Sequence, residues 1–425
     1  MFKPQGERFT LRLLFEEMMT MNRIAEQYVK LVLAVGQHDG DYVDAYHGPE
    51  EWINEAKSAK MPLPEIRNRA ALLLDEVRPL KPGGESELAI LRYQYLTRQI
   101  LSLASRVEML LGKAYTFDEE SKALYDAVAP RHPEEYFRSI LGKLDTKLGG
   151  SGNVQQRFEA FKNQFVIPKN KLDVVFKAAI HECRKRTRQH ILLPENESFV
   201  IEYVTNKAWS GYNWFKGDCH SLIQMNTDLP IFIDRAVDLA AHEGYPGHHV
   251  YNVLLEENLL KKNGWVEFSV YALFSPQSLI AEGTANFGIE VVFTPSERIA
   301  FERDVLFPLA GLDASKVEQY YHIHALFMKL ACAGNEAARG YLDGTMTKDS
   351  AIQWLMEYSL FSRERATQRM KFFDNYRSYV INYNLGQDMV ARFIEAKGGT
   401  ANNPLKRWDE FTKLISSPRL PSGLI

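Results

Sequence analysis

Apolar residues recur at steps of three and four along most of this chain. Leu13, Leu14, Met18, Met21, Ile24, Ala25, Tyr28, Leu31 and Val35 mark one face of a helix over residues 12–36. Gly36 and His38-Asp39-Gly40 end it. The same period runs from residue 63 to about 190. It is broken at Pro82-Gly83-Gly84, at Pro130-Arg131-His132-Pro133 and at Gly149-Gly150-Ser151-Gly152, which predicts hairpinned helices, one of them long and covering 88–111. Residues 296–308, 315–340 and 347–358 read as further helices. Residues 362 to about 397 predict one long helix interrupted near Asn384-Leu385-Gly386.

The period changes after Pro194. Residues 198–204 and 221–226 read as short strands, with an aromatic, glycine-punctuated loop over 209–217 between them. An acidic and aromatic stretch, Asp41 to Pro49, reads as a surface connection or as the wall of a pocket. The expected organisation is an N-terminal helical half, 1–192, and a half carrying the chemistry, 193–425, joined as one integrated unit.

Composition narrows the picture in three respects. A chain of 425 residues can bury a large core. A net charge of −3 gives no reason to expect a nucleic-acid partner, and no apolar run approaches the roughly 20 residues of a membrane span. Cys183, Cys219 and Cys332 are odd in number and far apart. That is neither a disulfide framework nor a CxxC metal site, and it suits a reducing compartment. With no apolar signal core in the first twelve residues, the expectation is a cytoplasmic protein, unless a leader has been removed.

The chemistry concentrates at His242-Glu243-Gly244-Tyr245-Pro246-Gly247-His248-His249. Imidazole and carboxylate bind zinc and move protons near neutral pH. A zinc motif on a helix places two histidines at i and i+4, with Glu after the first. Here i+4 is Pro246, and the next histidines stand at i+6 and i+7. On an unbroken helix His249 would share the face of His242 but lie about 10 Å further along, too far to share an ion. Pro246 cannot donate back to His242 and clashes with its carbonyl, Tyr245 is biased out of the helical region, and Gly244 and Gly247 permit bent backbone. The helix over 231–242 should therefore break or bulge by two residues, bringing His248 to the second ligand position, although spacing alone does not choose firmly between His248 and His249. His181-Glu182 forms no such motif, because Lys185 stands at i+4.

A third ligand is expected from Glu282, forty residues after His242 at the start of another apolar helix. Asn286 and Asp238, each one turn from a ligand, are candidates to orient the first shell. The expected cofactor is Zn2+, with Glu243 as general base. His249, Tyr383 and Arg377 are candidates to stabilise an oxyanion, or, for Arg377, to grip a substrate carboxylate. Asn226, Trp209 and Tyr379 are candidate substrate-binding residues. The expected substrate is a short peptide. Rival readings are a zinc hydrolase of a non-peptide amide or ester, and a non-catalytic helical binding protein.

These segments resemble a large bacterial family of uncharacterised proteins whose hallmark is HExxPGHH, regarded as zinc-metallopeptidase-like, in the gluzincin manner, and mostly helical. The resemblance extends to residues 42–49, Asn206-Lys207-Ala208-Trp209, Asn226-Thr227-Asp228-Leu229-Pro230, Ala281-Glu282-Gly283 and residues 376–387. Where members of that family often read Glu-Gly-Trp, this chain reads Glu282-Gly283-Thr284. The resemblance implies a mainly α, multi-helix zincin-like architecture with a small β element near residues 197–226. It also implies a deep channel between helical halves, as in helical carboxypeptidases and oligopeptidases.

Overall fold

A computed structural model describes residues 5–82, 86–207 and 209–424, with side chains from residue 18 onward in the first helix. It is 67% helical with few strands, the multi-helix class that the periodicity predicts. The first helix, Gln5–Val35, buries Ile24, Ala25, Tyr28, Leu31, Val32 and Val35, which extends the predicted apolar face. Glu87–Leu110 forms the long helix expected there, capped by Ser86. Its Arg92 makes a buried, two-pronged contact with Glu267 at 2.6 and 3.0 Å and also donates to Asn22 at 2.8 Å. Such a pair is costly to break because the partner would be left charged and dry. It ties three parts of the chain that are distant in sequence. One apolar core contains residues from both sequence halves, among them Ile24, Tyr95, Phe176, Val237, Phe287 and Ile394.

Five strands form two small sheets. β1 (Val43–Tyr46) pairs antiparallel with β5 (Val270–Ala272). β2 (Ser198–Val204), β3 (Gly211–Gly217) and β4 (His220–Asn226) form a sheet in the order β2-β4-β3, with β2 parallel and β3 antiparallel to β4. Two expectations are corrected here. The aromatic segment over 209–217 is an edge strand rather than a loop. Its Asn213, Phe215 and Gly217 are buried while Tyr212 and Trp214 point the other way, a two-residue alternation masked by the bounding glycines. The stretch 41–49 likewise contains a strand.

The helical breaks also differ in detail. The 362–397 segment divides at Arg377, whose backbone is left-handed at φ 49°, giving Arg363–Tyr376 and Ile381–Ala396 with a 3-10 turn between. Glu120 holds that turn by accepting from Arg377 Nε (2.6 Å), Ser378 N (3.1 Å) and Ser378 Oγ (2.6 Å). Residues 315–340 divide into Val317–Met328 and Ala333–Leu342. Gly386 does not interrupt its helix. It is where that helix crosses Pro276–Val292: a Cβ on Gly386 would meet Leu279 O at 2.7 Å, and one on Gly283 would meet Gly386 backbone at 2.5 Å. Among the described residues no helix is long and apolar enough to cross a membrane.

The Gly283–Gly386 crossing sets the position of Glu282. Gly386→Ala is expected to lower unfolding free energy by about 2 kcal/mol in urea titration, because backbone cannot yield as a side chain can. An unchanged midpoint would mean that the two helices move apart freely.

Candidate metal centre

The helix Asp234–Leu239 widens into a π turn over Ala240–Gly244, in which Tyr245 N donates to Ala240 O at 3.0 Å. Tyr245 is extended, and a separate helix, His248–Leu255, begins three residues later. The expected break is present, but as a wide turn followed by a new helix rather than as a bulge in a continuous one. Gly247 makes the close return possible. Its N donates to Ala241 O at 2.8 Å, and a Cβ there would lie 1.9 Å from His242 O.

The consequence is that three lone-pair donors converge. His242 Nε2 and His248 Nε2 are 3.1 Å apart, and Glu282 Oε2 lies 3.3 Å from the first and 3.7 Å from the second. Tetrahedral zinc with ordinary ligand distances has ligand–ligand edges of about 3.3 Å. The chemistry of the donors fits as well. His242 Nδ1–H donates to Asn286 Oδ1 at 2.9 Å, which leaves the Nε2 lone pair facing the other two donors. Asn286 Nδ2 in turn donates to Tyr383 O at 3.0 Å. The Tyr379 hydroxyl donates to Glu282 Oε1 at 2.8 Å, while Glu282 Oε2 is buried with no hydrogen-bond partner. Burial alone would raise the Glu282 carboxyl; the two imidazoles beside it outweigh that and hold it far below the usual carboxylate range.

These residues line a cavity of about 490 Å³, within the range of small-molecule and short-peptide sites. Glu243 lines it too, its backbone oxygen accepting from Asn213 Nδ2 of β3 at 2.7 Å. Tyr383 and Trp209 stand on its wall. Asp44 of β1 is a site residue that the sequence reading passed over. It accepts a hydrogen bond from the Tyr212 hydroxyl and lines the cavity beside the ligands. Burial pushes its carboxyl up to about 6, against the pull of Tyr212 and His248. Its signal was an acid set among tyrosines in a stretch that read as a surface connection or as a pocket wall.

Four candidate residues serve elsewhere. His249 is fully buried. Ser221 Oγ–H donates to its Nδ1 at 2.9 Å and its Nε2–H donates to Glu197 Oε2 at 3.2 Å, so it anchors the motif and does not face the cavity. Arg377 is spent on Glu120. Asp238 lines the cavity but pairs with Arg298 at 2.8 Å and Arg235 at 3.3 Å, because the helix widens between it and His242. Asn226 lines the cavity, yet its amide holds Lys207 O and Trp209 O, each at 3.0 Å, and so shapes the loop. Tyr379 holds a ligand. Thr284 is turned onto its own helix at Ile280 O (2.7 Å) and does not line this cavity.

Glu197, just before β2, is the hub behind the motif. Tyr245 OH donates to its Oε2 at 2.6 Å, His249 shares that oxygen, and Arg184 donates to Oε1 at 2.7 Å. Tyr245 and His249, two residues of the motif outside the converging pair, are thus clamped to one carboxylate.

No protein-family model matches the chain, and no curated protein matches it. Two of the solved structures that the chain matches, both at low identity, are as follows. One is a protein described as a lipoprotein from Colwellia psychrerythraea, at 16% identity and TM-score 0.49, over 87% of this chain and 70% of that one. The other is the M32 carboxypeptidase from Deinococcus radiodurans R1, at 12% identity and TM-score 0.37, over 94% and 89% respectively.

Burial raises the Glu197 carboxyl, but His249, Tyr245 and Arg184 together hold it down to about 2. A depressed carboxyl contributes stability above its unfolded value, and that stability is lost as pH falls from about 4.5 toward 2. Glu197→Gln is therefore expected to cost about 3 kcal/mol at pH 7, with the gap to wild type closing below pH about 4 in melts across pH. A gap independent of pH would show that the charge of Glu197 is not what holds the motif.

Proposed function

We propose that the chain is a zinc-dependent hydrolase of the HExxPGHH family, a metallopeptidase acting on short peptides. The observation that carries this reading is the convergence of His242, His248 and Glu282 beside Glu243 in one cavity. An unneutralised cluster of two imidazole lone pairs and a buried carboxylate is unfavourable without a cation. Held there, Zn2+ supplies a Lewis acid that acidifies water and polarises a carbonyl. Every other step falls to the chain.

Glu243 has no protein donor on its carboxylate among the described residues, so it is free to accept the proton of an attacking water and to pass it to the leaving nitrogen. Tyr383 is positioned to donate to the carbonyl oxygen as charge develops on it. Burial raises the Tyr383 phenol far above its ordinary value, so it keeps the proton it would donate. Asn286 and Tyr379 fix the ligand side chains, which spares the cluster reorganisation during turnover. β3 is an edge strand beginning at the cavity, and its backbone offers pairing to an extended peptide. The enclosed shape favours short chains over folded proteins.

Metal analysis of protein purified without chelator is expected to give one zinc per chain, and chelation should lower the melting temperature and abolish peptide-library cleavage. Substoichiometric zinc with no binding on titration would sink the reading. Glu243→Gln is expected to retain zinc and lose about 10³-fold in kcat. Asn286→Ala is expected to weaken zinc by about 10- to 100-fold, and Glu282→Ala by more. Undiminished zinc affinity in Glu282→Ala would remove it from the ligand set.

A further inference from the structure

The cavity continues beyond the metal centre along Arg363–Tyr376. Arg365, Gln368, Arg369, Phe372 and Tyr376 recur there at three- and four-residue steps and form one wall. Two of the five are cations without an acidic partner among the described residues. The Arg369 guanidinium lies 4.6 Å over the Phe372 ring and 5.6 Å from that of Phe373, and its Nε is buried with no hydrogen-bond partner. Arg365 lies 4.6 Å over Phe361 and remains open to the cavity.

The nearby acids do not neutralise them. Asp234 accepts from Tyr320 OH at 2.5 Å, Asp238 is paired with Arg298 and Arg235, and Asp44 is held by Tyr212. The remaining acids on the wall are Glu282, bound into the ligand cluster, and Glu243 beside it. A guanidinium stays charged at neutral pH, so both arginines present cations to the cavity. Arginines set on aromatic faces with free donors are a planar fork suited to an anion of matching shape.

Their place relative to the reaction centre is defined by aromatic rings in tilted and edge-on contact. Arg369 rests on Phe372, the Phe372 ring is 6.2 Å from Tyr383 and 6.4 Å from Tyr379, and Tyr379 holds Glu282. The cations thus sit in the same cavity as the ligands, with aromatic layers between.

We infer that Arg365 and Arg369 form a carboxylate-binding subsite, so that the substrate carries a carboxylate on the side of the scissile bond nearest Arg363–Tyr376. The inference rests on the hydrolase reading for the word substrate, but the subsite itself can be tested without turnover. The carboxylate has two sources, a free C-terminus or an acidic side chain, and the probes separate them.

The test uses the full chain as Glu243→Gln, incubated with zinc, its final zinc content measured separately. Calorimetry then follows binding of four peptides: N-acetyl-Ala-Ala-Phe as the free acid and as the C-terminal amide, and N-acetyl-Ala-Glu-amide with N-acetyl-Ala-Gln-amide. Free acid bound at least about tenfold more tightly than its amide identifies a terminal carboxylate; the same preference for Glu over Gln identifies a side chain. Arg369→Met and Arg365→Met, added singly, should each remove most of the preference with zinc content unchanged. Arg369→Met should melt no lower than its parent, since the guanidinium it removes has a buried donor without a partner. Equal binding of all four peptides, no binding of any, or a preference that survives both substitutions together would overturn the subsite. Low zinc with the preference intact would overturn the hydrolase reading and leave the subsite standing.

Discussion

Two imidazole nitrogens and a carboxylate oxygen within 3.7 Å of one another present lone pairs to lone pairs in a place that water scarcely reaches. Nothing in ordinary packing favours such an arrangement. The surrounding structure must enforce it, and much of the molecule near the site is explained by that need. The π turn and the break after it bring His248 back beside His242. The backbone contact of Gly283 with Gly386 sets the helix that carries Glu282. Asn286 and Tyr379 each hydrogen-bond the second polar atom of a converging side chain, Nδ1 of His242 and Oε1 of Glu282.

The motif is held from behind as firmly as it is shaped in front. Tyr245 and His249 both bond to Glu197, which Arg184 neutralises from outside. Adjacent histidines in the sequence therefore have opposite duties. His248 opens a helix toward the cavity, and His249, next along, points into the core. A pair of neighbouring histidines on one helix turn cannot both face one ion, and the buried carboxylate decides which of them turns away.

The cavity is electrically divided. At one end acids and imidazoles gather for a cation. Elsewhere on its wall Arg365 and Arg369 lie on aromatic rings with no ion-pair partner among the described residues. Such a division gives an elongated, charged ligand one orientation, because reversal would set like charges against each other.

The helical class, the three side chains that converge and the need for a break between His242 and His248 were legible in the sequence, because period, proline chemistry and residue spacing are local properties. The strand over 211–217 carried its alternation openly, but glycines at both ends made it look like a loop. Other features required the folded chain. Asp238 stood one turn from His242 on paper, yet Asn286, from another helix, took that ring nitrogen. Arg377 looked like an anion grip and is consumed by Glu120, more than 250 residues earlier. Arg365 and Arg369 carry no sequence signal that sets them apart from other charged helix positions. A side chain's role depends on which partner reaches it first, and partners distant in sequence are brought together only by tertiary packing. The sequence by itself determined the kinds of atoms available and the local bends of the chain. The tertiary structure decided which of those atoms meet.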